Sequence, residues 1–144
     1  MPSTYSCLHV HVIFSTKDRV PVIGTAWRDR LHSFLGSVIQ ERGAQPVAIG
    51  GVADHVHLLI GLKPIHAPAA IVRELKSVSS KWIRENRLAP AFGWQEGYGI
   101  FSVGPSQVDA VVRYIANQEE HHRTHTAEEE FRAFLRKAGL VSPS

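Results

Sequence analysis

The sequence predicts an α+β domain of ferredoxin-like (RRM-like) type, an antiparallel sheet with helices on one face and one further C-terminal helix. Three observations predict it. Apolar residues alternate with period two in short runs and recur at helical spacing in longer ones. The two kinds of run interleave as β-α-β-β-α-β-α. No internal repeat or low-complexity stretch interrupts them, and 144 residues suit one domain. That domain is read as residues 1–144, with a core over about 5–125 and a helical extension over about 126–144.

The elements follow in order. Residues 5–16 read as a strand, because Leu8, Val10, Val12 and Phe14 alternate with Cys7, His9, His11 and Ile13. Pro21 and Gly24 mark a loop. From Thr25 to Arg42 the residues Trp27, Leu31, Phe34, Leu35, Val38 and Ile39 form a helical stripe, and Gly43 supplies the stop. Strands over Pro46–Gly50 and Val52–Gly61 flank a Gly50-Gly51 turn signal. Ile71, Leu75, Val78 and Trp82 define a second helix that ends before Pro90. Residues 93–103 read as a bent strand loosened by glycines. A third helix runs from Ser106 to about His122, and a fourth over about 127–138 stops at Gly139.

Composition narrows the class. The hydrophobic fraction is 44% and the charged fraction 20%, which excludes a disordered tail, a collagen-like repeat and a coiled coil. No apolar run reaches the roughly 18 residues of a membrane span, and no basic flank leads into an apolar N-terminal stretch. A cytoplasmic protein is expected, and the single cysteine, Cys7, suits a reducing compartment. A net charge of +3 permits a nucleic-acid partner without arguing for one. Nine histidines are the outlier, since imidazole binds metals and moves protons near neutral pH.

Two of them stand in Asp54-His55-Val56-His57-Leu58-Leu59-Ile60. On a strand, residues two apart share a face, so both rings can converge on one cation while Val56, Leu58 and Ile60 face the core. Asp54 is placed to orient a ring. Two strand histidines bonded only to their neighbours would show the same spacing. His9-Val10-His11 repeats the pattern on the first strand, and spacing does not choose between the copies. On the third helix Tyr114 and Gln118 are four apart, with His121 continuing their face beside the apolar stripe Val108, Val111, Val112 and Ile115. A tyrosine there fits an ordinary core rim as well as a groove. Gln118-Glu119-Glu120-His121-His122 fits a solvated helix end as well as a site.

Taken in register, several segments resemble one family. They are Phe14-Ser15-Thr16-Lys17-Asp18-Arg19, Gly50-Gly51-Val52-Ala53-Asp54-His55-Val56-His57-Leu58-Leu59, Lys76-Ser77 through Ser80-Lys81-Trp82-Ile83, Trp94-Gln95-Glu96-Gly97-Tyr98-Gly99 and Tyr114-Ile115-Ala116-Asn117-Gln118. The chain resembles the single-tyrosine HUH transposases of the smallest bacterial insertion sequences, including their repeat-associated domesticated relatives. The resemblance spans about residues 5–125. It implies His55 and His57 as the metal pair, Gln118 as third ligand, Tyr114 as nucleophile on a catalytic C-terminal helix, and His9 as incidental. His121 and His122 have no counterpart in the motif, and the extension from about Glu128 onward has no assigned role.

The implied reaction is metal-dependent cleavage and rejoining of single-stranded DNA with hairpin ends, by transesterification through a 5′-phosphotyrosine. Magnesium or manganese is the implied ion, and no nucleotide cofactor is expected, in keeping with the absence of a G-x-x-x-x-G-K-[ST] loop. A homodimer with active sites shared between subunits is implied as well. For DNA contacts, Arg73, Lys76 and Arg84 form a polar stripe on the second helix. Lys17, Arg19 and Arg113 can extend it, with Trp94 or Tyr98 as a stacking surface. A solvated helix face would carry the same charges. Two rivals remain: a non-catalytic single-stranded nucleic-acid-binding module, and a histidine-metal hydrolase that uses water as nucleophile.

Overall fold

The computed structural model describes residues 4–123 and 125–140, so the ends of the predicted domain, residues 1–3 and 141–144, lie outside the described residues. Strand β1 (Leu8–Ser15) leads into a 3-10 turn at Lys17–Arg19 and helix α1 (Thr25–Glu41). Strands β2 (Gln45–Val52) and β3 (His55–Leu62) form a hairpin, followed by α2 (Pro68–Glu85) and β4 (Gly99–Val103). Three helices close the chain: α3 (Val108–Ala116), the single turn α4 (Gln118–His121) and α5 (Ala127–Lys137). The four strands form one antiparallel sheet in the order β2-β3-β1-β4, as the ferredoxin-like pattern predicts.

Alternation in β1 and β3 sorts their side chains onto two faces. Val12, Phe14, Val56, Leu58 and Ile60 point to one face, where Trp27, Leu31, Leu35 and Ile39 of α1 and Ile71, Leu75 and Ile83 of α2 complete the main core. On the other face Leu59, Val103 and Ile115 form a smaller cluster with Val108, Val111, Val112 and Tyr114 beside them. Beside this apolar packing, the same face carries the buried histidines His11, His55 and His57 together with Ile13 and Phe101.

Three boundaries differ from the sequence reading, each with a local cause. The β2–β3 turn falls at Ala53-Asp54, because Gly50 and Gly51 lie within β2 and serve close approach rather than chain reversal. A Cβ on Gly51 would stand 2.3 Å from the His55 carbonyl oxygen, and one on Gly50 would stand 2.4 Å from that of Ile115. The strand expected over 93–103 survives as β4 alone. Trp94 makes an isolated bridge to Thr16, and the loop between is pinned by Lys76, whose ammonium donates to the carbonyls of Gln95 and Gly97. The third helix breaks at Asn117, whose ψ of 25° leaves the helical region before α4 resumes.

Candidate active site

β3 delivers the histidines. His55 and His57 are both buried on the face opposite the main core. The Nδ1–H of His55 donates to Asp54 Oδ1 at 2.7 Å, which aims its Nε2 into the site. This contact exists because the turn ends at Asp54. His57 has its Nδ1 2.8 Å from Nε2 of His11, a buried residue of β1, and its Nε2 therefore points the same way.

α3 and α4 bring the tyrosine and the glutamine. Tyr114 lies edge-on to His57, with ring centroids 5.6 Å apart. The Gln118 carbonyl oxygen is 3.3 Å from His55 Nε2, while its amide donates to the Tyr114 backbone carbonyl at 3.2 Å. The helix break at Asn117 thus leaves Gln118 on the histidine side. His122 adds a ring 4.5 Å from that of His55. All these residues belong to one chain.

Glu130 of α5 completes the cluster, and sequence reasoning passed over it. Its Oε1 is 2.7 Å from His57 Nε2 and 3.5 Å from His55 Nε2. Its Oε2 accepts the Tyr114 hydroxyl and lies 3.1 Å from Nε2 of both His121 and His122. Within Glu128-Glu129-Glu130 the residue reads as part of a solvated acidic run. The signal that distinguishes it is Phe134, four residues on, which places this carboxylate on the helix's apolar face. Phe134 stacks on Phe101 and lies edge-on to His11 and Tyr114.

The electrostatics follow from burial and this carboxylate. Burial opposes charge on His55, but hydrogen bonds to Asp54 and Glu130 outweigh it and lift its pKa to about 9. His57 is held below the usual range because burial outweighs Glu130. Burial also lowers His11 to about 3, with the neighbouring His57 adding to the shift. The Tyr114 hydroxyl is pushed well above its ordinary value, first by burial and then by the adjacent Glu130 carboxylate. Burial would raise Glu130, yet the bonds from His55, His57 and Tyr114 prevail and keep it ionised.

One ligand atom from each of His55, His57, His122 and Glu130 lies within 4.8 Å of the others. Three imidazoles and a carboxylate converging this closely form a donor set for a divalent ion. Beside them a cleft of about 190 Å³ is lined by Arg19, Gln95, Tyr98, His55 and Glu130, among others.

The chain matches the family model described as transposase IS200 like over residues 4–118. It belongs to that family. It is similar to the ISDra2 transposase TnpA of Deinococcus radiodurans, at 25% identity over 119 residues, covering 78% of this chain and 85% of the relative. A crystal structure described as that of a transposase from Deinococcus radiodurans R1 superposes with a TM-score of 0.66 at 27% identity, over 82% of this chain and 95% of that one. A REP-associated tyrosine transposase bound to a REP hairpin shares the fold, with a TM-score of 0.62 at 16% identity, over 85% of this chain and 73% of that one.

The IS200-like chain places its remaining sequence-predicted residues in different situations. Lys17, Arg19, Arg73, Arg84 and Arg113 are exposed, and Arg19 borders the cleft. Arg84 also donates to the Phe92 carbonyl at 3.1 Å. Lys76 is committed to the 95–97 loop, with its ammonium 5.6 Å from the Phe14 ring centre and 5.8 Å from that of Tyr98. Trp94 is committed too: it donates to Ser79 Oγ and packs edge-on to Phe14 and Phe92. Tyr98, 40% exposed, is the ring left open at the cleft. His9 sits near the start of the central strand β1, with its Nδ1 3.7 Å from Cys7 Sγ. Among the described residues no helix is long and apolar enough to cross a membrane.

Proposed function

We propose that this chain cuts and rejoins single-stranded DNA with hairpin ends through a covalent 5′-phosphotyrosine at Tyr114. The observation that carries the reading is the convergence of Tyr114, Gln118, His55 and His57, from three elements of one chain, on a single point. In the forward step the Tyr114 oxygen bonds to the scissile phosphorus, the P–O3′ bond breaks, and the departing 3′ oxygen ends as a hydroxyl. In the reverse step a 3′-hydroxyl attacks the phosphotyrosine, and Tyr114 leaves with its proton restored. The phosphotyrosine conserves the bond energy, so no nucleotide cofactor is required.

A tyrosine with a raised pKa is a poor nucleophile by itself. His55, His57 and Gln118 would hold a divalent ion, magnesium or manganese, with His122 and Glu130 alongside. The chemistry such an ion supplies when bound is polarisation of the phosphate and stabilisation of the charge that develops on it. Glu130 keeps the Tyr114 hydroxyl directed at the same point. Arg19 and Tyr98, on the cleft wall, suit a phosphate and an unpaired base, and exposed Arg73, Arg84, Lys17 and Arg113 suit the flanking backbone. A homodimer that exchanged α3 would rebuild the same site with the partner's tyrosine. The reaction would run in the cytoplasm, at the nucleoid.

The test is a denaturing gel of the protein with single-stranded oligonucleotides tiling the flanks of its own gene. Manganese, magnesium and chelator are compared for wild type and Tyr114→Phe. A metal-dependent covalent adduct that the variant lacks is expected. Binding without any adduct favours the non-catalytic module, and cleavage that survives the substitution favours hydrolysis by water.

A further inference from the structure

The first-strand histidine pair is absorbed by neither the metal set nor the tyrosine, yet one of its members is buried against the site. We infer that His11 is a positioning residue that sets the tautomer of His57, and that the two imidazoles switch tautomer together when a cation binds. The inference rests on the metal-binding part of the reading above.

The register makes the contact unavoidable. Ile13 is paired with His57 and His11 with Leu59, so His11 and His57 are diagonal neighbours on one face of adjacent strands. Their rings stand with centroids 5.0 Å apart, and Nε2 of His11 is 2.8 Å from Nδ1 of His57. Both residues are at most 2% exposed, so water does not substitute for either partner. A buried polar ring whose partner is lost would be left unsatisfied.

The proton count fixes the direction of each bond. Without a cation, Glu130 is a carboxylate and can only accept, so His57 Nε2 carries its proton and donates to Oε1 at 2.7 Å. Neutral His57 then has a bare Nδ1, which must accept from a proton on Nε2 of His11. With a cation on its Nε2, His57 must place its proton on Nδ1 instead. That Nδ1–H needs an acceptor, so His11 must bare its Nε2 and carry its own proton on Nδ1. Each ring moves one proton between its two nitrogens, and the number bound to the pair is unchanged. Only a side chain that can donate in one state and accept in the other fits the position, as imidazole does with its two ring nitrogens.

The experiment uses the full chain. Long-range ¹H–¹⁵N spectra read the tautomers of His11 and His57 with chelator and with saturating zinc, and electron paramagnetic resonance reads manganese affinity for wild type, His11→Phe and His11→Gln. In chelator both rings are expected as Nε2–H, and in zinc both as Nδ1–H. His11→Phe keeps the volume and loses the bond, and should weaken manganese binding by about 10- to 100-fold. His11→Gln, whose amide donates or accepts by rotation, should recover most of that loss. Oligonucleotide binding in chelator reports whether the fold survives each change. A His11 tautomer that stays fixed while His57 changes overturns the inference, as does a His11→Phe variant that binds manganese as wild type does. If wild type binds no cation, the metal reading itself fails. The chelator spectra then still judge the pair, because any tautomer other than Nε2–H on both rings refutes the direction assigned to the bond.

Discussion

Replacing Gly50 by alanine tests whether the tyrosine is positioned by how closely its helix approaches the sheet. Gly50 is paired with His57 across β2 and β3, and Ile115, the residue after Tyr114, packs directly over it. A Cβ at Gly50 would meet the Ile115 carbonyl oxygen at 2.4 Å and its Cγ2 at 2.9 Å, where ordinary contact begins at 3.4 Å. Relief requires α3 to retreat by about an ångström, since the obstacle is backbone on both sides. A displacement of that size at the reacting group costs on the order of 100-fold in rate. The overpacking itself should cost about 1–3 kcal/mol, equivalent to a fall in Tm of roughly 4–12 °C. Covalent adduct formation on a denaturing gel gives the rate, and thermal unfolding gives the stability. Gly93→Ala is the control, since a Cβ there finds its nearest neighbour, Lys17 Cδ, at 4.0 Å. If Gly50→Ala lost the expected stability but formed adduct within twofold of wild type, placement of Tyr114 by close helix approach would be refuted.

Three further outcomes are expected. Glu130→Gln should weaken manganese binding at least tenfold and slow adduct formation, because the neutral amide removes the negative charge now shared by His57, His55 and Tyr114; unchanged affinity in a manganese titration would exclude the carboxylate as a ligand. Arg73→Ala should flatten the salt dependence of single-strand binding by about 0.7 in slope, whereas Lys76→Met, which frees a loop rather than a phosphate contact, should leave that slope alone and lower Tm; equal slopes for the two variants would remove the distinction. His32 has its pKa lowered by burial first, with Arg28 acting in the same direction against Asp29. The unfolded chain therefore binds the extra proton, and this contribution to stability is present above pH 6.5 and lost as the pH falls below it. Tm should drop more between pH 7 and 5 in wild type than in His32→Leu, and parallel curves would show that His32 titrates normally.

How far the sequence is legible depends on the range over which each feature is determined. Both histidine faces follow from period-two alternation, a local property, while the sheet order follows from the β-α-β-β-α-β-α succession of elements, which packing on α1 and α2 reinforces. Asp54 was identifiable as the partner of His55 because the two are adjacent. The β2–β3 turn was misplaced because Gly50-Gly51 carries the composition of a turn. Its glycines are needed instead for the close passage of the His55 carbonyl across the turn and of Ile115 from a distant helix, and the second contact is invisible to local composition. Type and spacing make Trp94 and Lys76 candidates for DNA contact, while their partners within the fold, Ser79, Phe14, Gln95 and Gly97, become visible only once the loop is folded against α2.

Glu130 and His11 show the same limit inside the site. His11 was visible as half of a His-x-His pattern indistinguishable from His55-Val56-His57. What separates the copies is the neighbouring strand: β1 lies between β3 and β4, so His11 faces His57 and not the cleft. One pair therefore points into the site, while of the other only His11 supports it, although the two motifs are identical in spacing. Glu130 arrives from a helix beyond the part of the chain that matches the family model, which ends at residue 118. The histidine pair, the tyrosine and the glutamine all lie within that span. The carboxylate that accepts the tyrosine's hydroxyl lies beyond the matched span and the imidazole that backs His57 lies within it, yet both are set by contacts between distant elements that neither spacing nor residue type displays.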